Sequence, residues 1–205
     1  MNKELNDTFY TIEKSSQAVF KDKGSKFIAY AFPLETLNEI NDKNSIIKAE
    51  HHKARHCCYA WRLGADMKNF RANDDGEPSG TAGKPILGQI QSFELTNILI
   101  IVVRYFGGTL LGVSGLINAY KTSAKEALTA ANIITKEVHN LLTIEFEYPL
   151  LNDVMRIVKD QNIKITNTQY SSNCNITVSV KLSDTNKTLS LFNKIYGVEA
   201  KIDAE

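Results

Sequence analysis

With 205 residues, 43% of them hydrophobic and 23% charged, the chain is long enough to bury a real core and predicts one large or two small domains. Its 24 Lys+Arg stand against 23 Asp+Glu, which excludes a general affinity for polyanions and leaves any nucleic-acid contact to a local patch. Three cysteines, Cys57, Cys58 and Cys174, are an odd number with two adjacent, so a disulfide scaffold is excluded as well.

The N-terminus, MNKELNDTFYTIEK, has no apolar signal core, and no segment reaches transmembrane length. A soluble, cytoplasmic protein without a membrane partner is the expectation. FYTIE, QAVFK and KFIAYAF then read as two or three strands between Phe9 and Phe32, with Lys23 and Gly24 at a turn and Pro33 ending the run. From Leu34 to Ala54, the spacing of Leu37, Ile40, Ile47 and Ala54 predicts an amphipathic helix, although Asn41 to Ser45 is weak helix material.

RHCCYAWRL, residues 55 to 63, alternates as a strand, with His56, Cys58 and Ala60 on one side and Cys57, Tyr59 and Trp61 on the other. His51 and His52 upstream invite a zinc reading. The spacing fits no standard finger, so the cysteines are expected as small core residues, with no structural metal and no cofactor. Residues 73 to 85 carry Asp74, Asp75, Glu77, three glycines and two prolines, and predict an exposed polar loop. A helix starts around Thr81 to Pro85, with Ile86, Leu87, Ile90 and Phe93 inward. The acidic triplet suits either Mg²⁺ or a solvated turn.

The densest signal follows. Ile98 to Val103 are six apolar, mostly β-branched residues, the mark of a central strand buried on both faces. Gly107, Gly108, Gly112 and Gly115 then put four glycines in nine residues, and a helix follows through Leu116, Tyr120, Ala124, Ala127 and Ala131. Strand, glycine turn and helix start leave backbone N–H groups where phosphate binds elsewhere, yet glycines that only permit close packing explain the pattern equally well. Val113 and Ser114 after Gly112 exclude a P-loop. From Leu141 onward LTIEFEY, LLNDVMRIVKD, IKITNTQY, NITVSVKL, KTLSLFNKIYG and VEAKI give a β-α-β-β-α-β order, the ferredoxin-like pattern. The expected domains are residues 1–139 and 140–205, in an α+β chain.

DDGEPSGTAGKPIL at 74 to 87, VVRYFGGTLLGVSGLINAY at 102 to 120 and ARHCCYAW upstream resemble the IMPACT family, in its bacterial YigZ-type branch. The resemblance implies an N-terminal two-layer α/β domain with left-handed βαβ topology, as in GHMP kinases and the fourth domain of elongation factor G. The C-terminal part is similar to that factor's fifth domain. Where relatives often read RHHC, this chain has Arg55, His56, Cys57 and Cys58.

The resemblance also implies a link to translation. The expected activity is regulatory binding of the ribosome, RNA or a translation-associated protein, without turnover. The alternative is an enzyme for a small phosphorylated ligand, with Mg²⁺ at the acidic loop. Either way the expected binding residues are Arg55, His56, Asp74, Asp75, Glu77, Ser79, Thr81, Lys84, Arg104, Tyr105, Gly107, Gly108, Gly112, Gly115 and Lys121, with no catalytic residue assigned.

Overall fold

The computed structural model describes residues 7–171 and 173–203, which divide into two compact units, one of residues 9–136 and one that joins residues 7–8 to residues 137–203. The first six residues, part of the stretch read as lacking a leader, lie outside the described residues.

In the first unit β1 (Thr8–Ile12) stands apart from the main sheet and pairs with β7 (Ile133–Glu137). The main sheet takes β2 (Ser16–Asp22) and β3 (Ser25–Pro33), then, after helix α1 (Asn38–Glu50), β4 (His56–Leu63) and β5 (Asn69–Asn73). Helix α2 (Gly83–Ser92) leads to β6 (Ile98–Tyr105), and α3 (Gly112–Thr129) leads away from it. The strand order is β2-β3-β6-β4-β5, and each neighbouring pair is antiparallel.

The apolar run from Ile98 to Val103 is therefore the middle strand. Ile98, Ile100 and Val102 join one core with Phe27, Cys58, Ile86, Ile90, Tyr120 and Ala124, while Leu99, Ile101 and Val103 join another with Ile40, Ile47, Cys57 and Trp61. The expected two layers become three, because α1 covers the sheet face opposite α2 and α3. The resemblance implies two layers, whereas a central strand buried on both faces needs a cover on each, and α1 supplies the second with Ile40 and Ile47.

The second unit is built from β8 (His139–Glu147), α4 (Leu151–Asp160), β9 (Lys164–Gln169), β10 (Asn173–Lys181), α5 (Thr185–Phe192) and β11 (Val198–Ile202). Its antiparallel sheet has the order β11-β8-β10-β9, and its core gathers Ile144, Phe146, Val154, Cys174, Ile176, Val178 and Phe192. The β-α-β-β-α-β order expected from the sequence is the observed one. Among the described residues no helix is long and apolar enough to cross a membrane.

Candidate functional site

One end of the first unit's sheet collects all three motif stretches. There the β2–β3 turn, the β6–α3 turn, the start of β4 and the β5–α2 loop meet, because Phe27 and His56 both stand opposite Arg104 in register. Lys23 (φ 44°) and Gly24 (φ 80°) form a two-residue hairpin turn between the paired Asp22 and Ser25. The turn lies against Gly107, whose N–H donates to Ser25 Oγ at 3.2 Å. A Cβ built on Gly107 would sit 1.9 Å from the carbonyl carbon of Gly24, so this glycine is required by backbone meeting backbone.

Arg104 was expected as a surface cation and is instead 7% exposed. Its Nη1 donates to Glu77 Oε1 at 2.7 Å, and the same oxygen accepts the Tyr120 hydroxyl at 2.8 Å. The guanidinium carbon also lies 5.6 Å from the Phe27 ring centre and 5.7 Å from that of Phe106. Alternation explains the burial: Arg104 follows Ile98, Ile100 and Val102 onto the α2–α3 face, while Tyr105 follows Val103 onto the α1 face. Glu77, expected in an exposed loop, is therefore a buried strut that ties the β5–α2 loop to β6 and α3 together. The Tyr120 hydroxyl in turn accepts the Cys58 thiol at 3.3 Å. Burial pushes the Cys58 and Tyr120 pKa values well up, so both keep their protons at neutral pH.

Asp74 caps the start of α2, the second helix start at this end of the sheet. Its Oδ1 accepts Ala82 N–H at 3.0 Å and Gly83 N–H at 2.8 Å, and its Oδ2 accepts Gly80 N–H at 2.8 Å. The helix start is satisfied from within, and these donors are not available to phosphate. Burial works to raise the Asp74 pKa, but the N–H bonds from Gly80, Gly83 and Ala82 and the charge of Lys84 outweigh it and hold the carboxyl below its ordinary value. The stability this bonding contributes is fully present above the unfolded value, near about pH 4, and is lost as pH falls through the lower folded value. Asp74→Asn is therefore expected to lower the melting temperature at pH 7 by an amount that shrinks below about pH 4; thermal denaturation across that range checks it.

The third carboxylate, Asp75, has φ 41° and accepts Cys57 N–H at 2.7 Å and Lys48 Nζ at 2.9 Å. His56 donates its Nδ1 proton to the Asp75 carbonyl at 2.9 Å. Asp74, Asp75 and Glu77 thus turn to three different internal partners. Among the described residues no three His, Cys, Asp or Glu side chains converge as a metal site would need.

The remaining expected residues separate. Thr81 is buried, its hydroxyl donating to the Pro78 carbonyl at 2.6 Å, while Ser79 is exposed. Gly108 (φ 87°) and Gly112 (φ 70°) shape the turn, and Gly115 lets Leu111 approach. Lys121 is exposed but lies nine residues along α3 from Gly112, about 14 Å from the turn, so the fold does not bring it to the site. Lys84 is exposed at the start of α2, and Arg55 is exposed where β4 begins. The sequence reading missed Lys23 and Lys26, both exposed on the hairpin beside the glycine turn; the K-D-K-G-S-K run was their signal. Among the described residues Lys23, Lys26 and Lys84 have no carboxylate within ion-pair distance. Phe106, on the turn that follows β6, is 51% exposed.

Residues 23–128, which span nearly all of these elements, match the family model described as the Impact N-terminal domain. An IMPACT family member from Haemophilus influenzae is 34% identical over 188 residues, covering 90% of this chain and 89% of its own. The IMPACT family member YigZ of Escherichia coli is 36% identical over 152 residues, covering 73% and 74% of the two chains. A crystal structure of a hypothetical protein superposes with a TM-score of 0.78 at 29% identity, covering 98% of this chain and 100% of its own. With the three motifs gathered at one sheet end and these matches extending well beyond them, the chain belongs to the IMPACT family.

Proposed function

We propose that the protein is a translation-linked regulatory binding protein that contacts ribosomal RNA through this sheet end, by binding and without turnover. The observation that carries it is an imbalance of free charge. Lys23 on the hairpin turn, Lys26 on the α1 face beside Tyr105 and Lys84 at the start of α2 are exposed at this sheet end without an ion-pair partner among the described residues, and Phe106 on the adjoining turn is half exposed, while the carboxylates Asp74, Asp75 and Glu77 are held by internal donors. Unpaired cations tracking a backbone beside an exposed ring suit single-stranded or looped RNA, where phosphates meet the cations and a base meets the ring. The link to translation comes from the family resemblance. We further assign left-handed βαβ topology to the first unit and a ferredoxin-like fold to the second; the β11-β8-β10-β9 order supports the latter.

Co-sedimentation with ribosomes from a cell lysate tests the proposal. The protein is expected in the ribosomal pellet at low salt and in the supernatant at high salt, because each phosphate contact releases counterions. Pelleting with salt-washed ribosomes that is unchanged by salt would point to a protein partner instead, and no pelleting at low salt would refute the proposal.

A further inference from the structure

The α1 face of the same sheet holds a separate cavity of about 350 Å³, lined by Lys48, His51, His52, Ala54, Arg55, Cys57, Asp75 and Val103. Its floor is the sheet, at Cys57 and Val103, and its walls come from the end of α1, the approach to β4 and the β5–α2 loop. Its volume falls in the range of small-molecule sites. Four basic side chains face one acid, and that acid is committed: Asp75 binds Lys48 Nζ at 2.9 Å and the Cys57 N–H at 2.7 Å. Arg55 and the two imidazoles are left to face the space. Asp75 reaches both partners from a left-handed backbone conformation that a non-glycine residue rarely adopts, a strain held by the surrounding bonds.

His51 is positioned from both sides. Its Nε2 is 2.7 Å from the Tyr30 hydroxyl and its Nδ1 is 2.8 Å from the Tyr105 hydroxyl. Each phenol can donate or accept, so the ring keeps both hydrogen bonds whether neutral or protonated. An anion that favours the imidazolium would cost the network no bond. His51 and His52 also directly follow the last turn of α1, where the carbonyl end of a helix favours cations. Cys57 takes no part as a nucleophile: burial pushes its thiol up to about 11.

We infer that this cavity is a phosphomonoester site, with Arg55 and His52 as the exposed anion ligands and His51 fixed behind them by Tyr30 and Tyr105. The planar guanidinium suits a phosphate's oxygens, and the cavity is open to solvent, so the body that carries the phosphate can extend out of it. The phosphomonoester belongs either to a free metabolite or to the terminal phosphate of an RNA. The site is independent of the RNA-binding proposal, since Lys23, Lys26 and Lys84 are not among its lining residues.

The test compares wild type with Arg55→Ala/His52→Ala and with Lys23→Ala/Lys26→Ala/Lys84→Ala. Arg55 and His52 are exposed, so the double variant is expected to melt as wild type does without ligand. Inorganic phosphate and a nucleoside 5′-monophosphate, titrated against chloride at equal ionic strength, are expected to raise the melting temperature of wild type and of the lysine variant, the rise growing with the logarithm of ligand concentration above Kd. Affinity is expected to fall about tenfold or more in Arg55→Ala/His52→Ala. A short RNA with and without a 5′-phosphate separates the sources. A preference for the phosphorylated end that the double variant loses assigns RNA ends, whereas tight monophosphate binding with no end preference assigns a metabolite. If wild type binds neither phosphate probe more tightly than the double variant, the inference is overturned; loss of RNA binding in the lysine variant alone leaves it standing.

Discussion

Gly107→Ala is expected to cost more than about 3 kcal/mol, the upper end of what an overpacked site loses, and to leave little folded protein at 37 °C. The added Cβ would lie 1.9 Å from Gly24 C, 2.1 Å from Ser25 N and 2.2 Å from Gly24 O. Those are backbone atoms of a hairpin turn pinned by seven register pairs between β2 and β3, so no flexible side chain can move aside. Its neighbour separates the causes. A Cβ on Gly108 meets nothing within 4 Å, and only its φ of 87° is at stake. Gly108→Ala should therefore cost about 1 kcal/mol. Chemical denaturation of both variants checks the ranking, and equal losses would mean that the turn-on-turn contact yields.

Glu77→Ala is expected to destabilise the first unit by about 3–5 kcal/mol, because it leaves the Arg104 guanidinium buried without its counter-charge. Arg104 and Glu77 side chains are only 8% and 3% exposed, so water cannot replace the lost partner. The Arg104 Nε is already buried without a hydrogen bond, and the Tyr120 hydroxyl would lose its acceptor as well. Adding Arg104→Met should recover part of the loss, since an apolar side chain of similar length removes the stranded charge. Urea denaturation of the single and double variants decides it. A single variant within about 1 kcal/mol of wild type would show that the pair does not hold the two loops together.

The sheet was legible where period and burial coincide. Ile98 to Val103 could be placed at the centre because only a strand covered on both faces is apolar at every position. The sides of β4 followed from Cys57 and Trp61 alternating against Cys58 and Ala60. β5 was not legible: Asn69–Asn73 is a short polar edge strand, its Phe70 half exposed, and nothing in NFRAN separates it from the loop beyond.

At the site, residue types alone could not say which charges stay free. Asp74 reads as a solvated carboxylate until it is seen accepting the N–H groups of the following helix start. Arg104 reads as a phosphate ligand because Arg-Tyr precedes the glycines. Its burial follows from strand parity and from a partner, Glu77, that lies 27 residues away in sequence. Lys23 and Lys26 were passed over because the contact that brings their hairpin to Gly107 is between two distant turns.

The salt dependence of RNA binding tests the account most directly. Single-stranded RNA is titrated from low to physiological salt against wild type and Lys23→Ala/Lys26→Ala/Lys84→Ala. The three lysines are exposed, so the variant's melting temperature should match that of wild type. Its binding should be weaker at every salt concentration, and its plot of log affinity against log salt should be flatter by about two units, roughly 0.7 for each lost phosphate contact. A folded variant that binds with the affinity and slope of wild type would contradict the assignment of this sheet end as the RNA-contacting face.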